Sequence, residues 1–154
     1  MKSDMINPFL AATINVLSTM AQIKPVAGKP FLKTDRKAIG DISGIIGMTG
    51  SSKGVVVLTF TTGAICKIVS SMLGESYTEL GPDVSDAVGE LTNMISGDAR
   101  RKLVEVGYTF EAGLPTIVSG KGHIIESITS GPTIAMPFTI DGGFQFVVEA
   151  SFDQ

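Results

Sequence analysis

The stretch from Ile134 to Phe152 limits the possible folds more tightly than any other. Ile134, Met136, Phe138 and Ile140 alternate with polar or small residues, and Phe144, Phe146, Val148, Ala150 and Phe152 do the same beyond Asp141-Gly142-Gly143. A period of two belongs to a strand with one buried face. The three-residue loop sets Ile140 opposite Phe144, so both apolar sets face one core. Pro137 cannot donate to a ladder, so its strand is expected to have a free edge or a bulge there.

The rest of the chain supplies further strands and the helices to cover them. Asn7-Pro8 reads as a helix start, Asn as N-cap and Pro at the first helical position. Leu10, Thr13, Ile14, Leu17 and Met20 then form an apolar stripe that Pro25, Gly28 and Pro30 bring to an end. Ile42 to Met48 is small or apolar at even positions, Gly50 to Gly54 is a turn, and Val55 to Phe60 is an apolar strand. A short helix follows, with Ile65, Ile68, Val69 and Met72 on one face, Thr62 as cap and Gly74 as terminator. After a polar connector, Glu75 to Pro82, the longest helix runs from about Asp83 to Val106. Its stripe is Val84, Ala87, Val88, Leu91, Ile95 and Ala99. Gly113 to Ile128 reads as two short strands about Gly120-Lys121-Gly122. The expected architecture is α+β, helices over an antiparallel sheet, in a single domain spanning 1–154. Each half carries a long helix, a Pro/Gly-containing connector and a hairpin, which is a faint internal duplication.

Composition removes whole classes of function. Of 154 residues, 44% are hydrophobic and 18% charged, which is incompatible with disorder. Mean hydropathy is +0.33, yet no run approaches the roughly 18 apolar residues of a membrane span. The start lacks a signal peptide's layout: Asp4 offsets Lys2, and Asn7, Pro8 and Asn15 interrupt any apolar region. A cytoplasmic protein with no membrane attachment is expected. Net charge is −3 and the largest basic cluster is Arg100-Arg101-Lys102, which argues against nucleic acid. One cysteine, Cys66, allows no internal disulfide, and with His123 alone beside it no zinc site can be assembled.

Familiar catalytic motifs are missing as well. Gly50-Ser51-Ser52-Lys53 is not a phosphate-binding loop, and Met72 stands where a cysteine-phosphatase loop would need arginine. Cys66 reads as a buried inert thiol, and His123 as a surface or satisfied core histidine. The long helix is different. Glu90, Asn93 and Gly97 fall at i, i+3 and i+7, with Asp86 one turn earlier. These four project on one stripe roughly opposite Leu91 and Ile95. A polar outward face is ordinary in itself. Gly89 and Gly97, however, each cost about 1 kcal/mol in a helix interior, so a close approach to the helix backbone there would explain them.

Gly89-Glu90-Leu91-Thr92-Asn93-Met94-Ile95-Ser96-Gly97 resembles the active helix of the CheC/CheX/FliY family of chemotaxis phosphatases. Their signature is a Glu, an Asn three residues on, and a Gly one turn later. Pro115 to Gly120, the 46–60 hairpin region and the closing strands are also similar to the CheX branch, so the resemblance covers nearly the whole chain. It implies an internally duplicated CheC-like fold, with two long helices and one short helix on the sheet. The implied activity is hydrolysis of the aspartyl-phosphate of a CheY-type response regulator. Asn93 would then hold the attacking water, Glu90 would pair with a lysine of the regulator, and Asp86 and Gly97 would line the partner contact. No cofactor of the chain's own is expected, because the regulator would bring the Mg²⁺. CheC-like members repeat the Glu-x-x-Asn pair on both long helices. Here Asp4 to Asn7 precedes the expected helix, and Ala12 to Asn15 has no carboxylate. One site per chain implies the CheX branch and a homodimer, joined through apolar, weakly charged sheet edges. The competing reading is a non-catalytic module that binds a receiver domain or flagellar switch.

Overall fold

The computed structural model describes residues 3–126 and 128–153. Met1, Lys2 and Gln154, at the ends of the expected domain, and Ser127, in the segment expected to form a second short strand, lie outside the described residues. The closing alternation is a hairpin of β7 (Thr133–Thr139) and β8 (Gln145–Phe152), with Phe138 opposite Phe146 and Met136 opposite Val148. The Ile140 amide donates to the Phe144 carbonyl at 2.9 Å, while Gly142 and Gly143 take φ of 90° and 79° at the tip. Rings from neighbouring strands stack across this sheet, with centroids 5.1 Å apart for Phe138–Phe146 and 5.3 Å for Phe60–Phe146. Phe144 departs from its expected place in the core. It is partly exposed, because its ring covers Gly63 and Gly142 at the hairpin tip.

The other elements are α1 (Ser3–Ala21), β1 (Val26–Ala27), β2 (Phe31–Lys33), β3 (Ile42–Gly50), β4 (Gly54–Phe60), α2 (Thr62–Leu73), α3 (Pro82–Glu105), β5 (Phe110–Ala112) and β6 (Thr116–Ser119). Among the described residues the strands form one antiparallel sheet. Its order is β1-β7-β8-β4-β3-β5, with β2 also on β7 and β6 also on β3. The arrangement is palindromic about the β8–β4 pair. Each half contributes a long helix, two short strands and a hairpin, and its short strands complete the other half's hairpin. The internal duplication is therefore visible in the pairing, although little of it survives in the residues.

Local readings fail where tertiary packing outweighs them. The first helix begins at Ser3, not at Asn7, and Pro8 lies inside it. Pro8 forfeits only the bond to the Asp4 carbonyl, and burial of Met5 and Phe9 on the core helps to offset that loss. The buried stripe is Met5, Phe9, Ala12, Thr13, Val16 and Leu17; Ile14 is exposed, and Leu10 and Met20 are only half-buried. The cap of α2 is Thr61 rather than Thr62, whose amide and hydroxyl both donate to Asp41. Those bonds hold the Asp41 carboxyl below its usual range. Among the described residues, only the first strand expected in 113–128 forms. Gly120 and Gly122 turn the chain away at positive φ, and Ile125 then bonds to Arg36 and His123 to Ala38. This crossing closes a second apolar cluster, Ala38, Val55, Val57 and Ile125, over the face of the sheet away from α3. Strands β1, β2 and β5 went unpredicted because two or three residues carry no readable period. Pro137 is not on a free edge. Its carbonyl accepts from Gly28, and the break between β1 and β2 falls beside it.

The depth at which α3 sits is set by Gly44. The even positions of β3 (Ile42, Gly44, Ile46, Met48) face the helix layer and are buried. A Cβ on Gly44 would overlap Thr92 Oγ1 and stand 3.2 Å from Val88 Cγ1, so glycine alone allows α3 this close. Thr92 is fully buried and satisfies its hydroxyl by donating to the Val88 carbonyl at 2.7 Å. Gly47, three pairs along and on the other face of the strand, has nothing within 4 Å of its own Cβ position. Gly44→Ala should thus destabilise the fold by about 1–3 kcal/mol through overpacking, and Gly47→Ala by no more than about 0.5 kcal/mol. Urea denaturation of the two variants checks this, and equal midpoints would show that α3 can lift off without cost.

Candidate functional site

Helix α3 starts where Gly81 and Pro82 define an N-terminus, with Asp83 in the first turn to complement the helix dipole. The single Tyr77 O–H is shared between Asp83 at 3.0 Å and Glu75 at 3.2 Å and ties the connector to this end. The bond to Asp83, burial and the two negative charges push the phenol up to about 12. Val84, Ala87, Val88, Leu91, Ile95 and Ala99 are all buried, as their spacing predicted. The opposite stripe is consequently outward. Asp86, Glu90 and Asn93 are exposed and Gly97 is half-buried. No hydrogen bond or ion pair among the described residues engages Asp86, Glu90 or Asn93, which leaves a carboxylate and an amide one helical turn apart with their polar atoms unspent.

One flank of this stripe faces α1. Asn15, Val16 and Thr19 of α1 and Asn93, Met94, Gly97, Asp98, Arg100 and Arg101 of α3 line a groove between the helices. Asp98 joins the two walls. It is 5% exposed, receives Arg101 at 3.0 Å and Lys102 at 2.9 Å, and accepts from the Asn15 amide of α1 at 3.3 Å. Burial raises its carboxyl, but the three donors outweigh burial and hold it below its usual value. Asn15, Thr19, Asp98 and Arg100 were not among the sequence candidates. The only signal for them was the basic triplet at 100–102, because nothing local says which helix lies beside α3. Contrary to the expectation, Asp4 and Asn7 are helical, and both are exposed on the first turns of α1. Ala12, three residues before Asn15 as Glu90 is before Asn93, is fully buried, so a carboxylate there would have no water.

The remaining candidates are structural. His123 Nδ1 lies 2.7 Å from the Gly120 carbonyl and Nε2 2.7 Å from Ser43 Oγ, so both ring nitrogens are satisfied beside the turn. Cys66 is buried on α2, and burial, followed by the charge of Glu79, raises its thiol pKa. A separate cavity lies on the other face of the sheet. It is lined by Lys33, Arg36, Val57, Glu126 and Glu149 and contains none of the α3 residues. Burial pushes the Glu149 carboxyl up despite Lys33 at 3.6 Å. Among the described residues no three His, Cys, Asp or Glu side chains converge to hold a metal, and no helix is long and apolar enough to cross a membrane.

A palindromic antiparallel sheet under two paired long helices is the CheC-like class of fold. A CheC-like superfamily protein from Shewanella sp. PV-4 superposes with a TM-score of 0.92 at 43% identity over the whole of both chains. The model of the chemotaxis phosphatase CheX family matches residues 42–139, and the chain belongs to that family. CheY-P phosphatase CheX from Thermotoga maritima is 28% identical over 141 residues, which is 91% of this chain and 90% of that protein. The same fold occurs in the CheX–CheY–BeF3–Mg²⁺ complex from Borrelia burgdorferi, with a TM-score of 0.84 at 24% identity over 99% of this chain and 100% of that one.

Neither helix glycine on α3 is demanded by packing within the chain. A Cβ on Gly89 would come no nearer than 3.6 Å to Ile117 Cδ1, and one on Gly97 no nearer than 3.7 Å to an Arg100 nitrogen, both ordinary contacts. Gly89→Ala and Gly97→Ala should each therefore stabilise the isolated protein, by up to about 1 kcal/mol. Denaturant midpoints will test this; a loss of stability in either variant would mean that the glycine has a role inside the chain.

Proposed function

We propose that this protein hydrolyses the aspartyl-phosphate of a CheY-type response regulator, docking it on the outer face of α3. The observation that carries this reading is the exposed, unengaged Glu90–Asn93 pair in a chain of the CheX family. Phosphoryl transfer from an acyl phosphate passes through a loose transition state that needs positioning more than a strong base. The lack of a catalytic histidine on this face is no obstacle. The Asn93 amide offers both a donor and an acceptor to a water held in line with the phosphorus. Glu90, three residues earlier, pairs with a cation of the regulator and sets the register of docking. Asp86 extends that acidic contact, and Gly97 keeps the helix low where the regulator packs. The Thermotoga relative is a CheY-P phosphatase, and the Borrelia relative forms a complex with CheY that contains Mg²⁺. In our reading the Mg²⁺ belongs to the regulator, and the single domain, 1–154, works in the cytoplasm with its target.

Asn93→Ala should lower turnover on the order of 10²-fold with regulator binding largely kept, whereas Glu90→Ala should weaken binding too. Release of phosphate from a labelled regulator present in excess measures both. Wild-type rates in either variant would remove that residue from the site. Stoichiometric binding by the wild type without turnover would replace the phosphatase with the receiver-binding module.

We also propose a homodimer, paired along the edge made by β1 and β2. Val26, Phe31 and Leu32 are exposed there at 69%, 45% and 63%. Lys33, the charge within β2, turns inward, its ammonium 3.6 Å from Glu149 with only 7% of the side chain exposed, which leaves Lys29 between the two strands as the outward charge. Pairing about a two-fold axis leaves both α3 faces open to regulators. Light scattering should give a mass near twice the 16.1 kDa of the chain, and a value near that of one chain would exclude the dimer.

A further inference from the structure

Three cations follow one another at 100–102, and two of them already share one carboxylate. Arg101 and Lys102 both bond to Asp98. Arg100 makes no ion pair or hydrogen bond among the described residues, and its Nε is closed off from solvent with no acceptor. A terminal nitrogen of Arg100 lies 3.7 Å from the position a Cβ would take on Gly97, so the guanidinium spreads over the gap that Gly97 leaves. There it borders the groove that holds Asn93. Helical side chains lean toward the N-terminus, which here is toward Asn93.

A half-buried guanidinium that has lost part of its water and gained no acceptor is unfavourable on its own. The acids of this helix face do not relieve it. Asp83, Asp86 and Glu90 stand on the N-terminal half, and Glu90 is ten residues away, about 15 Å along the axis. On the C-terminal half, Asp98 is taken by Arg101 and Lys102, and Glu105, five residues beyond Arg100, points to another side of the helix. The stripe through Asn93 is thus negative toward the N-terminus and carries Arg100 toward the C-terminus. An anion supplied by a docked partner would satisfy the cation, and the reversed docking orientation would set like charges against each other.

We propose that Arg100 binds an anionic oxygen of the docked regulator on the C-terminal side of Asn93, so that Glu90 and Arg100 together fix the direction in which the partner lies along α3. This rests on the phosphatase reading above and adds a specificity-determining residue to it. Two sources carry that chemistry, the phosphoryl group itself and a carboxylate beside it on the regulator.

The test uses the full chain and a phosphorylated regulator, comparing wild type, Arg100→Gln and Arg100→Glu, with Lys53→Gln on the remote β3–β4 turn as control. For Arg100→Gln, kcat/KM should fall on the order of tenfold or more, the usual loss for a charge-assisted bond. Arg100→Glu should fall further, and Lys53→Gln should not change. Calorimetric binding separates the sources. A contact to a carboxylate weakens phosphorylated and unphosphorylated regulator alike and leaves kcat unchanged. A contact to the phosphoryl group weakens only the phosphorylated form and lowers kcat as well. Unchanged kcat/KM and binding in both Arg100 variants, with Asn93→Ala inactive, would overturn the role of Arg100 alone. An active Asn93→Ala would instead remove the assignment of the water to Asn93, so the two failures can be told apart.

Discussion

The close seat of α3 on β3 is the constraint from which the rest follows. Gly44 lets the helix descend until Thr92 meets the strand backbone, and small or hydroxyl-bearing inward residues (Ala87, Thr92, Ser96, Ala99) allow the same along its length. The inward polar groups find partners, Thr92 on the Val88 carbonyl of its own helix and Ser96 on Met48 Sδ of β3 at 3.7 Å. With that face committed, the opposite one has no freedom to turn. Rotation by even one residue, 100° on a helix, would drive Glu90 toward the core and lift Leu91 out of it. The orientation of the Glu90–Asn93 pair is therefore secured by apolar packing on the far side of the helix.

Asp98 contributes a second kind of order. Its carboxylate is buried between α1 and α3 and is stabilised by Asn15 from one helix and two cations from the other. Losing any one donor would leave the charge short of partners in a poorly hydrated place, which is costlier than losing a surface pair. It holds the groove walls together and engages Arg101 and Lys102, leaving Arg100 as the one of the three cations without an acceptor among the described residues. In the functional reading advanced here, the helix offers a rigid polar edge and the partner brings the reactive phosphate and metal. Such a division suits a chain in which no metal cluster, reactive thiol or free histidine stands near α3 among the described residues.

The duplicated architecture sets the two long helices side by side, but only α3 exposes an unengaged Glu-x-x-Asn stripe among the described residues. The two long helices are equivalent by topology, yet α1 buries Ala12 where α3 exposes Glu90, and Asn15 is occupied by Asp98. A pair of equivalent helices placed side by side has only so much outward surface. Here α3 carries the unengaged polar stripe, and α1 contributes a wall and a donor.

Much was legible in the sequence because it depends on local periodicity. The closing hairpin and its register, the full extent of α3, its buried stripe and the outward stripe of Asp86, Glu90, Asn93 and Gly97 each follow from spacing within one element, and spacing alone decides which residues share a face. The resemblance to the family likewise rested on a short run of α3 and on segments around it. What only the tertiary structure decided involves partners far apart in the chain. The exchange of β1–β2 and β5–β6 between halves, the start of α1 at Ser3 despite Pro8, the crossing of 120–126 over the back of the sheet, and the Asn15–Asp98 link all rest on such contacts. Two- and three-residue strands have no period to read, and a proline penalty of about 3 kcal/mol can be outweighed by burial that no local window contains. Arg100 shows the limit most plainly: a triplet of cations looks uniform in sequence, and only the position of Asp98 determines which of them is left without an acceptor.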